Sequence, residues 1–210
     1  CSRRAAKNRR RSGRRPAPPE STANAGRSIR RRYTGGMKLI ADEARVDQLI
    51  SDLGRQIIAG TVERERLALI GIRRRGDVLA ARIGQKLGVK DVGSIDITLY
   101  RDDLSETGAA ARVGKTNIPF DIEGREIVLC DDVIMTGRSV LAAIREILDF
   151  GRPRRLRLCV LVERPERELP LQPEHSALML HPGPGEKVDV RLKGQDEVEG
   201  VWISQKSEKA

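Results

Sequence analysis

Ile127-Val128-Leu129-Cys130-Asp131-Asp132-Val133-Ile134-Met135-Thr136-Gly137-Arg138-Ser139 decides how the rest of this chain is read. Four apolar residues predict a buried strand, and two carboxylates stand at its C-terminal end. A Thr-Gly-Arg-Ser turn then opens the helical run Val140, Leu141, Ile144, Ile147, Leu148. Strand, polar turn and helix in that order form one unit of an open α/β sheet, whose ligands bind outside the carboxyl ends of the strands.

The first helical turn presents backbone N–H groups without intrahelical partners, so Thr136 to Ser139 form a ready site for a phosphate. The helix dipole alone contributes only ~0.3–1 kcal/mol, up to ~2 when partly buried, so the Thr136 and Ser139 hydroxyls are expected to join in. Two adjacent carboxylates ending a buried strand repel each other and lose hydration unless something polar or cationic meets them. A helix cap at Asp132 and a solvated Asp131 would be the plain reading. Vicinal ribose hydroxyls beside a phosphate in the next loop give the pair a better purpose, and together the residues describe a clamp for a ribose 5-phosphate.

Upstream, Leu67-Ala68-Leu69-Ile70-Gly71-Ile72 predicts a second buried strand that ends in Arg73-Arg74-Arg75-Gly76, before a helix marked by Val78, Leu79, Ile83 and Leu87. Most charge runs are solvated. This one ends a parallel strand and faces the same crevice, where guanidinium and loop N–H groups suit a pyrophosphate. Before it, Val46, Leu49, Ile50, Leu53 and Ile57 share one face of a helix between Ala44 and Ala59, with Asp42 as cap and Gly60 as stop. Val92 to Tyr100 predicts a half-buried strand, and Arg101, Asp102, Asp103 follow it. Glu106 to Asn117 then has no apolar period, as a flexible lid would. Leu156 to Val162 predicts another strand; Ala177–Leu180, Val188–Leu192 and Val201–Ile203 predict short strands of a small C-terminal hood.

Of the formal charge of +10, residues 1–36 hold +11, from twelve Lys or Arg against Glu20 alone, which leaves −1 for the remainder. That Arg-, Ser-, Pro- and Gly-rich stretch cannot bury enough surface to fold alone, so 1–36 is expected to be a disordered basic extension and 37–210 the folded domain. Upstream sequence ahead of Met37, a transit peptide and an arginine-rich arm with nonspecific phosphate affinity are all open readings of it. No apolar run approaches membrane-spanning length, so no membrane partner is expected. Cys130 and Cys159 fall within predicted strands as core residues, in keeping with a reducing, cytoplasmic location. His175 and His181 stand among turn residues and are expected on surface loops, and no metal-ligand spacing is present.

The stretch 127–139 resembles the PRPP-binding motif of type I phosphoribosyltransferases, and Ile95-Asp96-Ile97-Thr98-Leu99-Tyr100-Arg101-Asp102-Asp103-Leu104-Ser105 is similar to the PyrR family within them. Gly71-Ile72, Arg75-Gly76, Gly151-Arg152-Pro153, Leu161 to Arg164 and Arg167 to Pro170 continue the likeness, which runs from about Met37 to Pro170. The family commonly has Gly-His where this chain has Pro165-Glu166, and a Ser-Lys-Ser-Glu-like stretch where this chain has His181 to Glu186.

The resemblance implies a type I phosphoribosyltransferase-like α/β fold: a mainly parallel sheet, helices on both faces, a lid and a hood. It implies an enzyme that makes UMP and pyrophosphate from uracil and PRPP with Mg²⁺, and that also senses UMP or UTP to regulate pyrimidine operons through leader mRNA. PRPP falls to Cys130, Asp131, Asp132, Val133, Ile134, Met135, Thr136, Gly137, Arg138 and Ser139, and pyrophosphate to Arg73, Arg74, Arg75 and Gly76, in a loop commonly strained in the family. Catalysis falls to Asp131, Asp132, Arg73 and Arg101. Arg101, Asp102 and Asp103, at the root of the lid, would either complete the closed site or, through Asp102 or Asp103, hold a water of the Mg²⁺ shell. Backbone groups of Glu163 to Pro170 would read the uracil edge, and Arg152, Arg154, Arg155, Arg157 and Arg167 would form a basic RNA patch. A homo-oligomer, dimer or higher, is implied. An RNA-binding regulator with a non-catalytic pocket, or a transferase for another base, are the alternatives.

Overall fold

The computed structural model describes residues 33–34, 37–97 and 116–205. In chain order the elements are β1 (Tyr33–Thr34), β2 (Met37–Asp42), α1 (Glu43–Ala59), β3 (Leu67–Ile72), α2 (Gly76–Leu87), β4 (Val92–Ile95), β5 (Glu126–Ile134), α3 (Arg138–Phe150), β6 (Arg155–Glu163), β7 (His175–Met179), β8 (Glu186–Arg191) and β9 (Gly200–Gln205).

The central sheet runs β4-β3-β5-β6-β7 with every neighbouring pair parallel. A parallel sheet is covered on both faces, which is why β3 and the first half of β5 are continuously apolar. Leu67, Leu69, Val128, Cys130, Cys159 and Leu161 pack on one face with α1 and α2. The alternate residues Ala68, Ile70, Ile127, Leu129, Leu158 and Val160 pack on the other with α3. The type I architecture expected from the sequence is therefore present, with helices on both faces. No described helix is long and apolar enough to cross a membrane.

Helix ends follow local chemistry. Asp42 accepts the Arg45 N–H at 2.9 Å and opens α1, and Gly60 closes it. The apolar period of α3 is real, yet Leu148 is 54% exposed, because Val140, Ala143 and Ile147 make the buried stripe. β4 stops at Ile95, short of the expected strand to Tyr100. Its neighbour in the central sheet, β3, ends at Ile72 directly opposite. Thr98 to Tyr100, together with Arg101, Asp102, Asp103 and most of the expected lid, lie outside the described residues.

A second, antiparallel sheet runs β1-β2-β9-β8. Val188 to Arg191 and Val201 to Ile203 lie in this hood as expected, but half of it comes from the start of the chain: Met37 to Asp42 form a strand, and Tyr33 and Thr34 pair with Lys38 and Met37. Ala177 to Met179 belong instead to the central sheet, as β7, where Ala177 and Leu178 pack toward α1. His175 is not on a surface loop. It begins β7 at 7% exposure, with Nε2 3.3 Å from an Nη1 of buried Arg157. His181 does lie in an exposed loop.

Candidate active site

β5 is the strand that makes the crevice. Its pairing with β3 ends at Gly71 opposite Cys130, whereas its pairing with β6 continues to Glu163 opposite Ile134. From Asp131 onward, one edge of β5 has lost its neighbour. Asp131 and Asp132 therefore lie inside a nine-residue strand rather than after it, a correction to the four-residue strand expected from apolarity alone. Each is tied to the backbone that follows: Asp131 Oδ1 accepts from Asp132 N at 2.9 Å and Asp132 Oδ1 from Val133 N at 3.0 Å. Asp132 caps no helix; the residue before α3 is Gly137, at φ 91°.

Asp131, Asp132, Val133, Ser139 and Arg75 line one cleft of about 220 Å³, whose apolar floor includes Ile72 and Ile97. Val188, Asp189 and Val190 of β8 form its hood side. Asp189 was not legible as a site residue; a lone acid in a Lys-Val-Asp-Val-Arg strand reads as a solvated face, and its carboxylate is held by Arg191 at 2.8 and 3.0 Å.

The turn after β5 is braced from outside. The Thr136 carbonyl accepts from Glu168 N and Leu169 N, both at 3.1 Å, and Arg167 donates to the Met135 carbonyl. Thr136 Oγ1 accepts the Arg138 N–H at 3.3 Å, and the exposed Arg138 pairs with Glu168 at 2.7 Å. Of Thr136 to Ser139, Ser139 is the one that lines the cleft. The loop Glu163 to Pro170 thus packs against the turn that follows β5, and its Arg164 N–H is given to the Ile134 carbonyl.

The Arg73–Gly76 loop separates its three arginines. Arg73, joined to Arg74 by a cis peptide, donates Nε to Ser94 Oγ at 3.3 Å and lies 3.6 Å from Asp77. Arg74 is exposed. Arg75 sits at φ 75°, rare for a residue with a Cβ, and turns into the cleft. Its Nε and Nη2 meet Asp196 at 2.8 and 2.9 Å. That pairing raises the Arg75 pKa and holds the Asp196 carboxyl below the ordinary range. The loop can fold so close only because Gly76 has no side chain: a Cβ there would stand 2.5 Å from the Cys130 carbonyl oxygen.

Cys130 is buried beside Cys159. Its contact with Cys159, and then burial, push its thiol well above the usual range, so it stays neutral. The expected basic patch does not form as a set. Arg157 is buried, Arg154 pairs with Glu63, Arg155 with Glu174 at 3.0 Å, and Arg167 with Glu163 at 2.8 Å. Glu63 and Glu174 reach Arg154 and Arg155 from elsewhere in the chain, and Glu163 meets Arg167 from four residues upstream.

A family model described as "Phosphoribosyl transferase domain" matches residues 38–177. The Bifunctional protein PyrR of Listeria monocytogenes serotype 4a (strain HCC23) is 40% identical over 178 residues, 81% of this chain and 97% of the relative. That of Roseiflexus sp. (strain RS-1) is 42% identical over 174 residues, 80% of this chain and 95% of the relative. Among solved structures, a hypoxanthine phosphoribosyl transferase of Trypanosoma cruzi shares the fold at TM-score 0.62 and 16% identity, over 83% of this chain and 94% of that one. The HGPRT-ase of Leishmania tarentolae does so at TM-score 0.58 and 15% identity, over 81% of this chain and 96% of that one.

Proposed function

Because the chain belongs to the phosphoribosyltransferases, and within them to the PyrR family, we propose that it joins uracil to the C1 carbon of PRPP and senses uridine nucleotides through the same cleft. One observation carries the catalytic reading: Arg75 from one motif, and Asp131, Asp132 and Ser139 from another, line a single cleft on the carboxyl-end side of the parallel sheet.

In this reading the Asp131 and Asp132 carboxylates accept from the ribose hydroxyls, and Ser139 with the N–H groups at the start of α3 takes the 5-phosphate. Arg75 faces the pyrophosphate, with Arg73, Arg74 and Gly76 completing its loop. The bond from C1 to the pyrophosphate oxygen breaks, uracil N1 bonds to C1, and the N1 proton leaves. Positive charge develops on the ribose beside two fixed carboxylates, so the chain contributes positioning and electrostatic stabilisation, without a covalent nucleophile. Two adjacent carboxylates lining the cleft suit a cation that brings most of its own ligands; Mg²⁺ carried by PRPP would offset charge on the leaving pyrophosphate. Arg101, Asp102 and Asp103 are assigned to closure over this site, which excludes water from the reactive C1.

The second function is control of pyrimidine operons through leader mRNA, with UMP or UTP in the cleft as the signal. A homo-oligomer acting in the cytoplasm completes the proposal, with residues 1–36 as a basic extension to the domain.

The test is pyrophosphate release from PRPP and Mg²⁺ with uracil, hypoxanthine, guanine or orotate. Uracil should support turnover. Asp131→Asn should lower kcat/KM for PRPP roughly 10- to 150-fold, the equivalent of one charged hydrogen bond of about 1.5–3 kcal/mol. Turnover with another base alone would reassign the substrate, and UMP binding without turnover would leave a sensor only.

A further inference from the structure

The turn between β8 and β9 aims two carboxylates at α2 and the residue before it. Asp196 takes both Nε and Nη2 of Arg75, at 2.8 and 2.9 Å. Glu199, 6% exposed, takes Arg82 Nη1 at 2.7 and 2.9 Å and the Lys193 N–H at 2.8 Å. Asp196 is itself fixed. Its Oδ2 accepts the Leu192 N–H at 2.9 Å, and its own N–H donates to the Leu192 carbonyl at 2.9 Å. Arg75 lines the cleft and Asp196 does not, so the carboxylate holds the guanidinium without itself lining the space of a bound anion. The grip uses Nε and Nη2 and leaves Nη1 outside the pair.

Building on the phosphoribosyl-transfer reading, we propose that Asp196 is a positioning residue, which holds the Arg75 guanidinium so that Nη1 meets the pyrophosphate group of the substrate. An arginine side chain loses much rotamer freedom when ordered, and a bidentate carboxylate that orders it beforehand removes that cost from anion binding. A carboxylate that competed with the anion for the fork would act with the opposite sign.

The experiment uses the full chain with Mg²⁺ and inorganic pyrophosphate in calorimetric titration, beside steady-state kinetics. Asp196→Ala should weaken pyrophosphate binding and raise KM for PRPP by roughly tenfold, the scale of one immobilised long side chain. KM for uracil and kcat should stay within about twofold, an asymmetry that mere loosening of the hood would not produce. Asp196→Asn, which keeps an oxygen for the Leu192 N–H, should keep the wild-type urea midpoint and lose less affinity. In an Arg75→Ala background, Asp196→Ala should have no further effect. Unchanged or tighter pyrophosphate binding in Asp196→Ala, or a further loss on top of Arg75→Ala, overturns the proposal. Weakened pyrophosphate binding without turnover on any base would retire the transfer reaction and still support the positioning role.

Discussion

Gly76 marks how little room the site has. A Cβ at this position would meet the Cys130 carbonyl oxygen at 2.5 Å and the Asp131 Cα at 3.1 Å, both backbone-borne atoms of β5 that cannot swing aside. Gly76→Ala should therefore cost about 1–3 kcal/mol and misplace Arg75 relative to Asp131. A variant with wild-type melting temperature and PRPP affinity would disprove the close packing. His175 supplies a pH dependence of known sign. Burial, and then the Arg157 charge, lower its pKa, so it stays neutral in the fold while the unfolded chain takes up a proton below about pH 6.5. More protons are bound in the unfolded state, so the contribution is intact above that pH and stability falls as pH drops through it. Urea midpoints measured between pH 7.5 and 5 should decline, and His175→Gln should flatten that decline; an identical slope in the variant would assign it to other groups.

Among elements, β6 carries the most exacting piece of packing. Arg157 is fully buried and donates to Thr61 Oγ1 at 2.7 Å and to the Ile57 carbonyl at 3.3 and 3.4 Å, tying β6 to the end of α1. Its Nη2 also lies 2.8 Å from Glu126 Oε1, a contact between opposite charges that lacks aligned hydrogen-bond geometry. Breaking a buried pair by removing one partner leaves a charge uncompensated. Arg157→Met should cost about 3–5 kcal/mol, and adding Glu126→Gln should recover a measurable part of it. If the double variant is no more stable than the single one, the Glu126 contact contributes nothing. The cost falls at the opposite end of the sheet from the cleft, so residual folded protein should keep its KM for PRPP.

At the scale of the molecule, the hood is closed by both ends of the chain. β2 pairs with β9 from Met37–Ser204 to Asp42–Gly200, and Asp42 then caps α1. Among the described elements, a chain beginning at Met37 forfeits the two-residue strand β1; it should keep its activity, with a melting temperature lowered by a few degrees at most. One beginning at Ala44 loses β2 and the cap together and should not fold to an active form. The shorter chain also sheds the +11 of residues 1–36, so its binding to nonspecific RNA should weaken and depend less steeply on salt. Equal salt slopes for the two chains would place the phosphate contacts on the folded body.

Local pattern carried much of this protein. The Ile127–Ser139 order of strand, acids, turn and helix, the α1 period with Asp42 and Gly60 at its ends, and the buried runs of β3 and β6 are all read from neighbours in sequence, because periodicity and capping act within a few residues. The same locality made Asp131, Asp132 and Arg75, which line one cleft, legible as candidate site residues. What needed the tertiary structure were choices of partner. β5 runs on to Ile134 because β6 accompanies it, β4 stops at Ile95 because β3 does, and His175 leaves its expected loop because Arg157 receives it. Asp196 reaches Arg75 across 121 residues. Hydrogen bonds and ion pairs are satisfied by whichever group the fold brings near, so strand length, the burial of polar residues and the grip on Arg75 are properties of the assembled sheets and not of any one stretch of chain.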